Sequence, residues 1–457
     1  MLNFKSGGAP GAQRPLQQPI TSYRSWGRQS LAAHRNVYKP SWADELGRFD
    51  DADAPVLAFG LGRSYGDSCL NDGGYLIDIT AMDHVMSFDA GSGRIRCAAG
   101  VSLATILQLV VPRGWFLPVT PGTKFVTIAG AIANDVHGKN HHCEGTIGCH
   151  VTQFELLRSN GTRLVCSPEQ NPEWYAATIG GLGLTGIIVW VEIQLKKILS
   201  SKIAVDTITF RSLNEFLDIT KESEQAGFDY TVAWIDCFSG RDARGIFYCG
   251  NHADTGEVVA KGAAGRGFKV PFAFPEFVLN RVTVKAFNTL YYTLKAGKRR
   301  TRNVDYDPFF YPLDTVPEWN LIYGRRGLMQ YQCLVPEAAS EAFQEILRKI
   351  SDSGEGSFLG VIKKFGNIRS PGMMSFPRPG LTLALDFPFR GDHTLRLFDH
   401  LDHIVMNVHG ALYAAKDARM SRSMFEASYP NLERFRAFVD PHLSSGFWRR
   451  VQAEVRR

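Results

Sequence analysis

The chain is 457 residues long, more than one hydrophobic core usually serves, so two or more structural units are expected. With 44% hydrophobic and 21% charged residues it reads as an ordinary globular protein, and no uninterrupted apolar run reaches the roughly 18–20 residues that span a bilayer. A net charge of +6 is too weak to argue for nucleic acid, but it suits an anionic substrate or an anionic membrane surface.

Residues 1–24 are rich in Gly, Pro and Gln and lack the apolar core of a signal peptide, so a cytoplasmic protein is expected. In that reducing compartment Cys69, Cys97, Cys143, Cys149, Cys166, Cys237, Cys249 and Cys333 read as scattered free thiols. Residues 55–100 alternate short apolar runs with turns, and strands are predicted at Val56–Phe59, 75–79 and Arg94–Ala98. Ser102 is the expected N-cap of a helix over 102–112. A Gly-rich zone follows at 122–148, then strands over 151–198 around a helical piece, Pro172–Thr178.

From about residue 199 the texture changes to longer amphipathic helices (212–226, 337–351) and longer strands (Tyr230–Ile235, 381–387), a second domain of α+β type. Residues 410–457 carry a tight turn, Tyr413-Ala414-Ala415-Lys416-Asp417, and then helices. Between them, 261–302 holds ten Lys or Arg and a single acid, Glu276, with aromatics interleaved. The plain interpretation is a solvated basic loop and a packed helix. The sharper one is a basic, apolar flap that meets an anionic, lipid-like substrate or a membrane interface.

Three motifs carry chemistry. Gly60-Leu61-Gly62-Arg63-Ser64-Tyr65-Gly66-Asp67 directly follows a predicted strand, and glycines let backbone amides surround a diphosphate. Pro121-Gly122-Thr123 and the run from Thr127 through Ala133 to Asn140 pack small residues densely and end in a polar cluster, which suits a flat ring lying on backbone. Gly180-Gly181-Leu182-Gly183-Leu184-Thr185-Gly186 contains a literal G-x-G-x-x-G, but strand-like residues follow it, whereas a dinucleotide fingerprint must open a helix. His141-His142-Cys143 and Cys149-His150 look like metal ligands, yet their spacing fits no zinc pattern, and no metal is expected.

Together these motifs resemble the FAD-binding half of the vanillyl-alcohol-oxidase (PCMH-type) superfamily. The resemblance implies a two-domain α+β fold, with an inserted substrate or cap domain built on an antiparallel sheet. Its implied limits are 1–197 for the FAD-binding domain, 198–410 for the substrate domain and 411–457 for a return to the first. Gly60, Gly62, Arg63, Ser64, Tyr65, Gly66 and Asp67 would wrap the diphosphate. Gly122, Thr127, Ile128, Ala129, Gly130, Asn134, Asp135, Val136, His137, Ile188 and Tyr413 would hold the rest of FAD. Covalently flavinylated members often have a His where Tyr65 stands, so non-covalent FAD is expected.

The block from Ala133 to His142, with Met329-Gln330-Tyr331-Gln332, Ser375-Phe376-Pro377 and the segment from Tyr413 to Arg419, resembles one family more narrowly: the decaprenylphosphoryl-β-D-ribose oxidases. That resemblance implies oxidation of the C2 hydroxyl of a prenylphospho-pentose to a 2-keto sugar, the first half of epimerisation to an arabinose donor for cell-wall arabinan. It implies Lys416, Tyr65 and His137 as catalytic, and Gln332, Lys363, Lys139 and Thr382 at the substrate. It also implies a separate NADH-dependent short-chain reductase as partner, and 261–302 as a peripheral membrane contact at the inner face. Thr382 and Ala384 depart from the Asn and Cys of mycobacterial relatives, and Phe310-Tyr311-Pro312 departs from a Tyr-His-Pro. An aldonolactone or alditol oxidase of the same superfamily is the alternative, and a flavin-free binding protein on this fold is the second.

Overall fold

In the computed structural model, which describes residues 20–259, 270–297 and 299–453, the parallel strand pairs lie in the amino-terminal part. There Val56–Phe59 and Asn36–Tyr38 flank Tyr75–Asp78 in a small parallel sheet. A five-stranded antiparallel sheet follows, in the order Val85–Asp89, Arg94–Ala98, Ile187–Gln194, Val151–Leu157 and Arg163–Cys166. The N-terminal arm before residue 20, and Lys261, Arg266, Phe268, Lys269 and Lys298 of the basic stretch, lie outside the described residues.

Local chemistry accounts for the element ends. Ser102 accepts a hydrogen bond from Thr105 N and starts the helix Leu103–Val110, which tightens into a 3-10 turn at Val111–Arg113 where Pro112 supplies no amide. Tyr75–Asp78 ends one residue before the sequence expectation because Asp78 caps a 3-10 turn by accepting from Thr80 N. The helix expected at 337–351 is Ser340–Ser353, its entry being a 3-10 turn at Glu337–Ala339 behind Pro336.

The second half is built on one eight-stranded sheet. Its order is Arg300–Asp305, Lys202–Phe210, Gly245–His252, Tyr230–Ile235, Gly360–Phe365, Gly380–Pro388, Leu328–Val335 and Ala411–Leu412. All seven strand pairings in it are antiparallel. Alternation along the strands divides the side chains between two faces. Phe210, Phe247, Met329, Tyr331, Cys333, Leu383 and Leu385 form a core with the helices Leu213–Gln225, Ser340–Ser353 and Asp392–Asn407. The intervening residues, such as Gln330, Gln332, Thr382 and Ala384, face the Gly-rich loops of the first half across a large cavity. The C-terminal segment touches both halves. Ala411–Leu412 is the last strand of the large sheet, whereas the helix Gly446–Gln452 packs on the turn Asp67–Cys69.

Candidate active site

The cavity has a volume of about 1160 Å³, above the ~300–1000 Å³ of an ordinary small-molecule site. Glycines open one wall. Gly62 has φ +61, and a Cβ on it would come within 2.7 Å of Arg24 O. Gly122 and Gly183 present no Cβ where open space lies in front of them. The Gly60–Ser64 loop is pinned from behind, since Trp26 N donates to Ser64 O at 2.8 Å and Tyr65 N to Ala415 O at 3.0 Å. Arg63 stacks on Trp26, 4.2 Å from its centroid, and donates to Phe125 O. Thr127 caps the helix Ile128–Ala133 through Gly130 N, which holds the small-residue run against the cavity.

At the other wall Lys416, Tyr65, Gln330 and Asp386 converge. The turn that carries Lys416 is closed by Lys416 N donating to Tyr413 O, and by the Asp417 carboxylate, which accepts from Arg419 N and Met420 N. The Lys416 ammonium lies 3.9 Å from the centroid of the Tyr65 ring. Gln330 donates to Asp386 at 2.6 Å and also hydrogen-bonds Tyr65. Burial lowers the pKa of Lys416, with the Asp386 carboxylate opposing. Burial likewise raises that of Asp386. Tyr65 is raised well above its ordinary value by burial, so its phenol stays neutral.

His137 is the second focus. Lys363 Nζ lies 3.1 Å from its Nδ1, and Gln332 Nε2 lies 3.0 Å from its Nε2. Burial, then the charge of Lys363, pushes its pKa well below the ordinary value, so the ring is neutral and has one donor and one acceptor nitrogen. A charged Lys363 donates to Nδ1 and needs the ring proton on Nε2, where it would face the Gln332 amide nitrogen, itself a donor, so that state requires the Gln332 amide to turn its oxygen to the ring. A neutral Lys363 lets Nδ1–H donate to it. Burial, then Lys139 and Lys416, lowers Lys363 to about 7, so both states are within reach. Lys139 donates to Phe310 O at 3.1 Å and is lowered by burial to about 8. Tyr413 donates to Asn134 O at 2.8 Å, and its ring stacks on Phe376. Thr382 donates to Cys333 O at 2.9 Å and stands 3.4 Å from Gln332 Nε2.

All the residues expected at the chemistry and the substrate line this one cavity, as do Gly60, Gly62, Arg63, Ser64, Gly122, Thr127, Ala129, Gly130, Asn134, Val136, Ile188 and Tyr413. Gly66, Asp67, Ile128 and Asp135 stand behind the wall instead. Gly66 lies against the Asp417 carbonyl, and Asp67 binds Arg450. Ile128 is core, and Asp135 is buried, accepting from Ser370, Ser375 and Gly148 N. Gln330 and Asp386 were missed. The only signal was the register that pairs them across neighbouring strands. His141 packs at a tilt against the Phe365 ring, His142 and His150 bond backbone carbonyls, and among the described residues no cluster of three possible metal ligands forms.

Residues 43–167 match the FAD-binding domain family. A decaprenylphosphoryl-β-D-ribose oxidase of Mycolicibacterium smegmatis is 37% identical over 414 residues, covering 87% of this chain and 89% of that protein. The chain belongs to the decaprenylphosphoryl-β-D-ribose oxidase family. It is an FAD-dependent oxidoreductase of α+β architecture. An uncharacterised Streptomyces coelicolor protein is 29% identical over 75% of this chain and 96% of its own length. Bovine L-gulonolactone oxidase is 27% identical over 38% of this chain and 40% of its own length. The residues in this decaprenylphosphoryl-β-D-ribose oxidase homologue fit the cofactor. The Cβ-free walls at Gly122 and Gly183 leave space for an extended dinucleotide, and the volume leaves room for a second ligand beside it.

Proposed function

We propose that the protein oxidises the C2 hydroxyl of decaprenylphosphoryl-β-D-ribose, or a similar prenylphospho-pentose, to the 2-keto sugar, the first half of an epimerisation to the arabinose donor. The observation that carries this reading is the group of three half-buried lysines, Lys139, Lys363 and Lys416, that line one cavity, without a carboxylate within 4.0 Å among the described residues. Such a site favours an anionic ligand, as a phospho-sugar is. Bound FAD supplies the acceptor for the C2 hydride. Lys416, in its neutral form, takes the hydroxyl proton at Nζ, and Tyr65 orients the hydroxyl with its neutral phenol. Asp386 faces the ammonium so formed. Gln332 and Thr382 hold the sugar, while Lys139 and Lys363 meet the phosphate.

The same reading assigns residues 1–197 and 411–457 to the flavin unit and 198–410 to the substrate unit. FAD is held without a covalent bond, because Tyr65 stands where a linking His would be; acid precipitation should leave the flavin in the supernatant. The keto product passes to a separate NADH-dependent short-chain reductase. No helix among the described residues is long and apolar enough to cross a membrane. We assign a peripheral contact at the inner membrane face to the described part of 261–302, where Phe272, Phe277, Val282, Leu290 and Leu294 are exposed beside Arg281 and Lys285.

The test is anaerobic bleaching of the flavin band by a short-chain prenylphospho-ribose, with xylitol and a γ-lactone as controls. Bleaching by the lipid sugar alone is expected. Bleaching by a free polyol or lactone, and not by the lipid sugar, assigns the chain to the alditol or lactone oxidases instead. A purified protein without flavin would leave only a binding role.

A further inference from the structure

The catalytic residues occupy one end of the cavity, and the rest of it has a different chemistry. Beyond Lys363 the cavity continues over the same face of the eight-stranded sheet towards the edge strand Arg300–Asp305. Val361 and Trp234 are direct partners across two strands of this floor. Next comes a single register line, Val232, Tyr248, Thr207 and Arg300, which crosses four strands. All of these line the cavity. From the strand that bears Asp386 to the edge strand there are five spacings, or about 24 Å at ~4.8 Å each.

The floor is roofed. Phe287, Tyr291 and Lys295, four residues apart on the helix Arg281–Lys295, line the cavity from above. Trp234 meets Tyr291 edge-on at 5.0 Å, and the Tyr248 and Tyr291 hydroxyls bond at 2.9 Å. Asn288 pins this helix by donating to Asp236 at 2.9 Å. The charged groups are at the two ends, and the hydroxyls between them include the Tyr248–Tyr291 pair, bonded to each other. Lys139 and Lys363 stand at the inner end, and Lys295, Arg300 and Arg302 at the outer one. Strand alternation turns Arg300 and Arg302 towards the cavity, while Arg299 and Thr301 bond Asp206 on the other face.

We propose that this roofed floor is a channel for the isoprenoid chain of a prenyl phosphate, with the phosphate at Lys139 and Lys363 and the chain leaving between Lys295 and the Arg300 edge. Its sugar end rests on the proposed function above. The chain is the occupant that fits an apolar path of this length, which starts at cations beside the reacting sugar and ends at a cationic rim where lipid headgroups would stand.

The test uses the flavin-loaded protein and prenyl phosphates without sugar, so it does not depend on oxidation. Calorimetric titration should show geranylgeranyl phosphate binding at least about tenfold more tightly than geranyl phosphate, with inorganic phosphate weaker than either. Thr207→Trp, which fills the middle of the floor, should weaken geranylgeranyl phosphate about tenfold and geranyl phosphate less than about twofold. Phe287→Asp, on a half-exposed helix face that tolerates a charge, should show the same selectivity if the Trp variant does not fold. Equal affinities for the two chains, or equal losses in Phe287→Asp, overturn the channel. If chain length governs binding but prenylphospho-ribose does not bleach the flavin, the channel stands and the oxidation reading falls.

Discussion

The Lys416 ammonium lies 3.9 Å from the centroid of the Tyr65 ring, and the two residues come from opposite ends of the chain. The contact is made possible by a backbone bond, Tyr65 N to Ala415 O, which ties the first Gly-rich loop to the C-terminal turn. Cation–π attraction favours the charged lysine by roughly 0.5–2 kcal/mol, while burial favours the neutral one. The opposition keeps both protonation states accessible, as a group that takes and returns a proton requires.

Lys416→Met removes the proton acceptor and keeps the length of the side chain. Stopped-flow reduction of the flavin by prenylphospho-ribose should slow by about 10²–10⁴-fold, with the flavin still bound. A loss smaller than about tenfold assigns the base elsewhere.

Asp386→Asn should move the pH profile of flavin reduction to lower pH. The Asp386 carboxylate raises the pKa of Lys416, so its removal lets Lys416 lose its proton earlier, and the rising alkaline limb shifts towards acid. An unmoved limb, measured as kcat/KM against pH, separates the two groups.

Gly66→Ala and Gly122→Ala should fail in different ways. A Cβ on Gly66 would stand 1.9 Å from Asp417 O and 2.7 Å from Ala418 Cα, so the turn carrying Lys416 must shift, at a cost of about 1–3 kcal/mol or more. A lower Tm and lost flavin are expected. A Cβ on Gly122 meets nothing within 4 Å, so the apo-protein should keep its Tm and lose only FAD affinity, as read by flavin titration.

Ala384→Cys should create a reactive site. Ala384 lines the cavity between Gln332 and Val361 on the adjacent strands. Among the described residues the one cysteine that lines the cavity is Cys69, whose thiol burial pushes up to about 12. Intact mass after turnover with a nitroaromatic inhibitor should show no adduct on the natural chain and one adduct on the variant.

Much of the fold was legible because local rules act locally. Ser102 and Ser212 cap the helices that follow them, and Val56–Phe59, Arg94–Ala98 and Tyr230–Ile235 keep their sequence-read ends, whereas the short helix Ile128–Ala133 behind Thr127 was not read. The Gly loops were legible because a diphosphate needs backbone without Cβ. Asp386 was not, since its meaning depends on a partner 56 residues away across a strand pair. Asp135 misled for the opposite reason. It is embedded in a motif that lines the cavity, yet at φ +41 its carboxylate turns inward to Ser370 and Ser375. A contiguous motif in sequence becomes a wall with two sides.

The lysines of that wall also bear on folding. In the unfolded chain Lys139 and Lys363 hold their protons up to about their ordinary value of 10.5, but in the folded apo-protein they release them near 8 and 7. Between those values the unfolded state binds more protons, so unfolding takes up protons and apo-protein stability rises with pH. Near neutrality the fold carries these like charges close together, and an anion that settles among them relieves the repulsion. Thermal melts should therefore show the apo-protein gaining Tm from about pH 7 to pH 9, and phosphate-bearing ligands raising Tm most at the acid end of that range. What the geometry prepares for a substrate it takes from the resting protein, so occupancy and folding are linked through the same few ammonium groups.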